Sequence, residues 1–221
     1  MKTRTLVKAL AVAGFVTIQS LSAHADTLAI LLDISSSTPI VQPKFIQTTM
    51  PMIGDQISKL PIGSQIKVFS VGDDNAVPLA IDMYVQRDKS VRGNTAKELA
   101  VSVPRDIEKY LNAVRANPSK MQGESSLSPA FLDATKWCKT GKPCQITYLT
   151  DGMEYQPGVL AWPVQYKTPL PPIAGLDLKG ANVFMFGVGQ GVSSQARIAI
   201  EQHWTTWLKE HKAGEVDLRR L

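Results

Sequence analysis

The 221-residue chain is 44% hydrophobic and 19% charged, long enough for one domain with a sizeable core and at most an extension. Its 24 Lys and Arg against 19 Asp and Glu give a formal charge of +5, but Lys2, Arg4 and Lys8 all fall in the first 25 residues, which hold no acid; residues 26–221 therefore carry about +2. A balance that close argues against nucleic-acid binding, which needs a clustered basic face, and no apolar run reaches the ~20 residues that cross a bilayer.

The N-terminus reads as a secretory signal. "MKTRTLVK" is basic, "ALAVAGFVTIQSL" is apolar, and "SAHA" ends in an A-x-A pattern before Asp26. Cleavage is expected after Ala25, giving a signal peptide over 1–25 and a single domain over 26–221 in the periplasm or outside the cell. A retained membrane anchor is the rival reading, and its apolar run, residues 9–21, is too short for one.

"TLAILLD" (27–33) is continuously apolar up to its last residue and predicts a strand buried on both faces. "PKFIQTTMPMIGDQISKL" (43–60) predicts a helix with Phe45, Ile46, Met50, Ile53 and Ile57 on one side and a kink or break at Pro51. "SQIKVFSVG" (64–72) predicts a second strand, and "PLAIDMYV" (78–85) a third that pairs with it as an antiparallel edge. Residues 94–117 predict one or two helices, with Pro104 in the first turn of the second. "SLSPAFLDATKWC" (126–138) predicts a helix capped by Ser126 or Ser128.

"QITYLTDG" (145–152) predicts a further strand, again ending on an acid, Asp151. "ANVFMFGVG" (181–189) predicts the last strand, and 193–212 a closing helix with Ile198, Trp204 and Leu208 against the sheet. Strands alternating with helices in this way predict a doubly wound α/β fold: a mainly parallel sheet with one antiparallel edge strand and helices on both faces. The Pro- and aromatic-rich stretch 152–180 is too long for an ordinary connection, and its Tyr155, Trp162 and Tyr166 are candidates to rim a partner surface or to pack on their own domain.

Cys138 and Cys144, separated by a segment with Thr140, Gly141 and Pro143, predict a disulfide across a turn. The spacing is wrong for a C-x-x-C redox pair, and zinc would want more ligands, whereas His203 and His211 lie far along the chain.

In an open α/β sheet, ligands bind beyond the carboxyl ends of the strands, which is where Asp33 and Asp151 fall. Two acids brought together there would repel and desolvate, so a cation is expected to join them. The neighbouring groups are oxygens: in "DISSS", Ser35 and Ser37 alternate so that both hydroxyls can face one point while Ser36 turns away. That donor set suits Mg2+, with Mn2+ or Ca2+ as alternatives.

These residues carry a resemblance to the von Willebrand factor type A domains. "DISSS" resembles that family's D-x-S-x-S, and "LTDG" its strand-terminal T-D-G, and "GESSLSPAF" occupies the place of its threonine motif. The order of elements agrees over nearly all of residues 26–221. The resemblance implies a domain that binds rather than catalyses, holding a divalent ion at a metal-ion-dependent adhesion site made by Asp33, Ser35, Ser37, Ser125 and Asp151, with a carboxylate of a partner protein as the last ligand. Ser126 is the alternative to Ser125. Serine in place of threonine keeps the hydroxyl but frees its rotamer, and Glu124 adds an acid beside it. The ending "IEQHWTTWLKEHKAG" loosely resembles the tails of such domains in secretion or conjugation systems.

Three other readings compete. "DISSST" could be a strand end followed by a helix cap. A metal-independent scaffold would keep the fold without the ion. A Mg-dependent hydrolase resembling the haloacid dehalogenase phosphatases would want a second acid where Ser35 stands, and "VGDDN" (71–75), with Asp73 and Asp74, comes too early to be its late motif and reads as a solvated turn. "FGVGQG" (186–191) follows a strand without opening a βαβ unit, so it reads as a turn and not as a dinucleotide fingerprint, and no G-x-S-x-G supports a histidine triad.

Overall fold

A computed structural model of the chain describes residues 27–36, 38–72, 76–86, 94–121, 123, 126–138, 142–154, 170 and 172–221. The signal segment, Asp73 and Asp74, and the aromatics Tyr155, Trp162 and Tyr166 lie outside the described residues. Among the described residues, six strands form one sheet: β1 (Thr27–Asp33), β2 (Gln65–Val71), β3 (Ala76–Tyr84), β4 (Cys144–Leu149), β5 (Ala181–Phe186) and β6 (Val216–Arg219), in the order β3-β2-β1-β4-β5-β6. All neighbouring pairs are parallel except β2 with β3, which is the antiparallel edge the sequence predicts. Four helices among the described residues flank the sheet: α1 (Pro43–Ser58), α2 (Ala96–Ala116), α3 (Leu127–Thr135) and α4 (Ser194–Glu210). This is a doubly wound α/β fold.

Period-two alternation divides each central strand between two cores. Leu28, Ile30 and Leu32 of β1 join Ile66 and Val68 of β2 against Phe45, Ile53 and Ile57 of α1 and Leu99, Ile107 and Leu111 of α2. Ala29 and Leu31 join Phe69, Ile146 and Tyr148 against Phe131 of α3 and Ile200, Trp204, Trp207 and Leu208 of α4. On this second face Phe131 lies 5.6–5.9 Å, ring to ring, from both tryptophans of α4. A sheet buried on both faces is why β1 reads as an unbroken apolar run.

Several expectations change at the helices. Residues 96–116 form one helix, opened by a Thr95–Glu98 capping box, with Pro104 inside it and not in a first turn. Pro104 has no N–H for the Ala100 carbonyl. That carbonyl lies against Gly54 of α1, where a Cβ would stand 2.7 Å from it, so glycine lets the two helices close over the gap. Pro51 sits within an unbroken α1; it and Gln47, whose carbonyl loses its partner, face solvent, where water can replace the bond. Ile198 is 48% exposed and does not face the sheet; Ala196, Ile200, Trp204 and Trp207 form the buried stripe of α4 instead. The strand β6, beyond that helix, was not expected at all.

Cys138 and Cys144 form a disulfide that ties the turn after α3 to the start of β4. No helix among the described residues is long and apolar enough to cross a membrane.

Candidate metal centre

The winding of the chain reverses between β1 and β4: β1, β2 and β3 proceed to one side, and β4, β5 and β6 to the other. Adjacent parallel strands at such a reversal leave a crevice beyond their carboxyl ends. Leu32 pairs with Leu149, so the next residues, Asp33 and Thr150, stand side by side at its mouth, and Asp151 follows. Asp33 and Asp151 are both fully buried.

Hydrogen bonds fix the carboxylates. Thr150 Oγ1 donates to Asp33 Oδ2 (2.8 Å) across the two strand ends, and the Ser35 backbone N–H donates to Asp33 Oδ1 (3.0 Å). Thr150 Oγ1 also accepts from the Gly152 N–H (2.9 Å), so the threonine of "LTDG" is the pin between β1 and the turn after β4. Asp151 Oδ1 accepts from the Met153 N–H (2.8 Å), an Asx-type turn. The Asp151 carbonyl accepts from the Gly189 N–H (2.7 Å), which gives "FGVGQG" its part: a turn that braces the neighbouring strand end.

Ser35 is buried and Ser36 exposed, the alternation expected of "DISSS"; Ser37 lies outside the described residues. Neither acid nor serine caps α1, which starts at Pro43 behind Gln42; only Thr38 caps, on the short 3-10 turn Pro39–Val41. Ser125 and Glu124 also lie outside the described residues. Ser126 does not: it is buried at the start of α3, and its N–H donates to the Gly72 carbonyl just past β2 (3.1 Å), beside β1. Ser126 is the N-cap residue of α3, but neither it nor Ser128 makes a capping bond with its own side chain.

The capping group is Glu154, which the sequence reading passed over. It is buried, and its carboxylate accepts from Ser128 twice, from Oγ (2.5 Å) and from the backbone N–H (3.2 Å). α3 has no acid in its own first turn, and no local sequence signal points to Glu154, which reaches its N-terminus from three residues past Asp151.

Beneath these groups lies Tyr148 of β4, fully buried, whose hydroxyl has no hydrogen-bond partner among the described residues. Burial, reinforced by the negative charge of Asp33, Glu154 and Asp151, holds its phenol well above the ordinary value. Three carboxylates thus bear on one buried ring.

Asp33, Ser35 and Asp151 offer oxygens only, a donor set that fits a hard dication. No three His, Cys, Asp or Glu side chains among the described residues gather closely enough to hold a metal by themselves, so a centre here must draw on serine hydroxyls as well.

No protein-family model matches the chain, and no curated protein matches it in sequence. Solved structures similar to it include proximal thread matrix protein 1 from the mussel byssus, at 15% identity and a TM-score of 0.46 over 90% of this chain and 44% of that one. An aerotolerance-related membrane protein from Bacteroides fragilis, carrying multiple mutations to serines, is similar at 16% identity and a TM-score of 0.46 over 87% of this chain and 90% of that one. The chain spans under half the length of the mussel protein.

Proposed function

We propose that this chain is a protein-binding domain of the von Willebrand factor type A kind that holds Mg2+, or Mn2+ or Ca2+, at the ends of β1 and β4 and uses the ion to grip a carboxylate of a partner protein. The observation that carries the reading is the Thr150–Asp33 hydrogen bond, which locks two strand ends together with a buried acid on each. Asp33, Ser35 and Asp151 would hold the ion, with Ser37 and Ser125 (or Ser126) completing the set. When bound, the cation supplies one open coordination position for an incoming carboxylate oxygen.

The chain's own residues do the rest. Thr150 and the Ser35 N–H occupy Asp33 so that it cannot swing away, and the Met153 N–H does the same for Asp151. A donor set held in advance binds without the entropy cost of gathering it. On this reading the domain binds rather than catalyses. The signal-like N-terminus and the disulfide support a periplasmic or secreted location, and the loose resemblance of the ending "IEQHWTTWLKEHKAG" to the tails of such domains is what suggests a secretion or conjugation system.

A metal-independent scaffold of the same fold is the second reading, favoured by one observation: both Asp33 oxygens already accept hydrogen bonds from the protein itself. Calorimetric titration with Mg2+ and Mn2+ separates the two. Wild type is expected to take up one ion with an affinity that Asp33→Ala lowers at least about tenfold; equal titrations for the two proteins would leave the scaffold.

A further inference from the structure

We infer that Glu154 is a positioning residue which ties the start of α3 to the strand end carrying Asp151, and so sets Ser126 beside the metal centre without touching the ion. The inference rests on the metal reading above and extends it to a residue outside the D-x-S-x-S, hydroxyl and T-D-G motifs.

The start of α3 is held at two points. On one side the Ser126 N–H bonds to the Gly72 carbonyl, next to the end of β2; Val71 there pairs with Asp33 and accepts from the Ile34 N–H (3.0 Å). On the other side Glu154 takes the Ser128 N–H and hydroxyl together. Two hydrogen bonds from one residue to one carboxylate, at a helix N-terminus, form a charge-assisted grip that fixes direction as well as distance. Ser128 and Glu154 are both buried, so water does not compete.

Glu154 stands three residues after Asp151, on a segment whose path is set by the Met153–Asp151 turn and by Trp204 Nε1 donating to the Gly152 carbonyl (2.8 Å). A shift of α3 therefore moves Ser126 relative to Asp151 unless Glu154 holds it. A ligand such as serine, with no β-methyl to restrict its hydroxyl, depends more on the placing of its backbone than threonine would. The carboxylate supplies from outside what the serine lacks.

The test is Mn2+ titration of the full chain, by calorimetry, for wild type, Glu154→Ala, Glu154→Gln and Ser128→Ala, with the thermal midpoint of each. Glu154→Ala is expected to weaken Mn2+ about tenfold at an unchanged stoichiometry, and Glu154→Gln, which keeps an acceptor for Ser128, to restore binding to within about threefold of wild type. Ser128→Ala keeps the backbone N–H and is expected to fall between them, which preserves the test should Glu154→Ala fail to fold. Wild-type affinity in Glu154→Ala or Ser128→Ala, with only the midpoint lowered, overturns the inference and leaves the metal reading standing. Glu154→Gln binding as weakly as Glu154→Ala while Ser128→Ala binds like wild type also overturns it, because the charge, and not the grip on Ser128, would then be needed at the ion. Wild type taking up no Mn2+ removes the metal reading, and this inference with it.

Discussion

Tyr148 is the residue on which the charge of the site is most visible. Its ring packs edge-on to Phe131 at 5.5 Å, while its hydroxyl, unpartnered among the described residues, faces the field of three carboxylates. A buried hydroxyl without a partner costs stability, so Tyr148→Phe is expected to leave unfolding free energy unchanged or raise it by about 1 kcal/mol, measured by urea denaturation. A loss larger than that would mean the hydroxyl is bonded. The pH dependence has a definite sign. The native phenol ionises above the unfolded value of ~10, so the unfolded chain releases its proton first; Tyr148 contributes fully below pH ~10, and stability falls as pH rises through the native value. Wild type should therefore lose stability relative to Tyr148→Phe above pH ~10, and parallel curves would contradict the assignment.

At the scale of elements, the turn leaving β4 is the piece that makes the site. Gly152 has φ of +76°, and a Cβ there would meet Ile200 Cγ2 at 3.1 Å and Trp204 Nε1 and Val188 Cγ1 at 3.2 Å each. Trp204 reaches from α4 to bond its carbonyl, so the helix and the turn are built against each other. Gly152→Ala is expected to cost about 2 kcal/mol, seen as a lower thermal midpoint and a changed near-ultraviolet tryptophan signal. A variant as stable as wild type would mean that the turn has another conformation available. The elements that sequence reading misplaced share a cause: a short local window does not carry enough signal to place them. The strand β6 is only four residues, two apolar and two charged, three of them half-buried, held at a sheet edge by main-chain pairing with β5. The continuity of α2 through Pro104 depends on Gly54 in a different helix, which no local window contains. Ile198 is apolar but lies off the stripe that Ala196, Ile200, Trp204 and Trp207 define, so periodicity counted with it points the wrong way.

For the whole molecule, the strand order decides what the motifs can do. β1 and β4 are 110 residues apart in sequence and adjacent in the sheet, because the chain completes one half of the fold before starting the other. The strand ends were legible as apolar runs closing on acids, and the structure brings the two strands that end at Asp33 and before Asp151 side by side. What stayed illegible were the groups that support those residues. Thr150 reads as part of a strand and Glu154 as part of a Pro-rich segment until the fold sets one against Asp33 and the other against Ser128. The most direct test of the central claim is anomalous diffraction from crystals grown with Mn2+. One peak is expected at the ends of β1 and β4, within coordinating distance of Ser35 Oγ and bounded by Asp33 and Asp151. No peak there in crystals that hold Mn2+ elsewhere, or a peak away from these strand ends, would contradict the account.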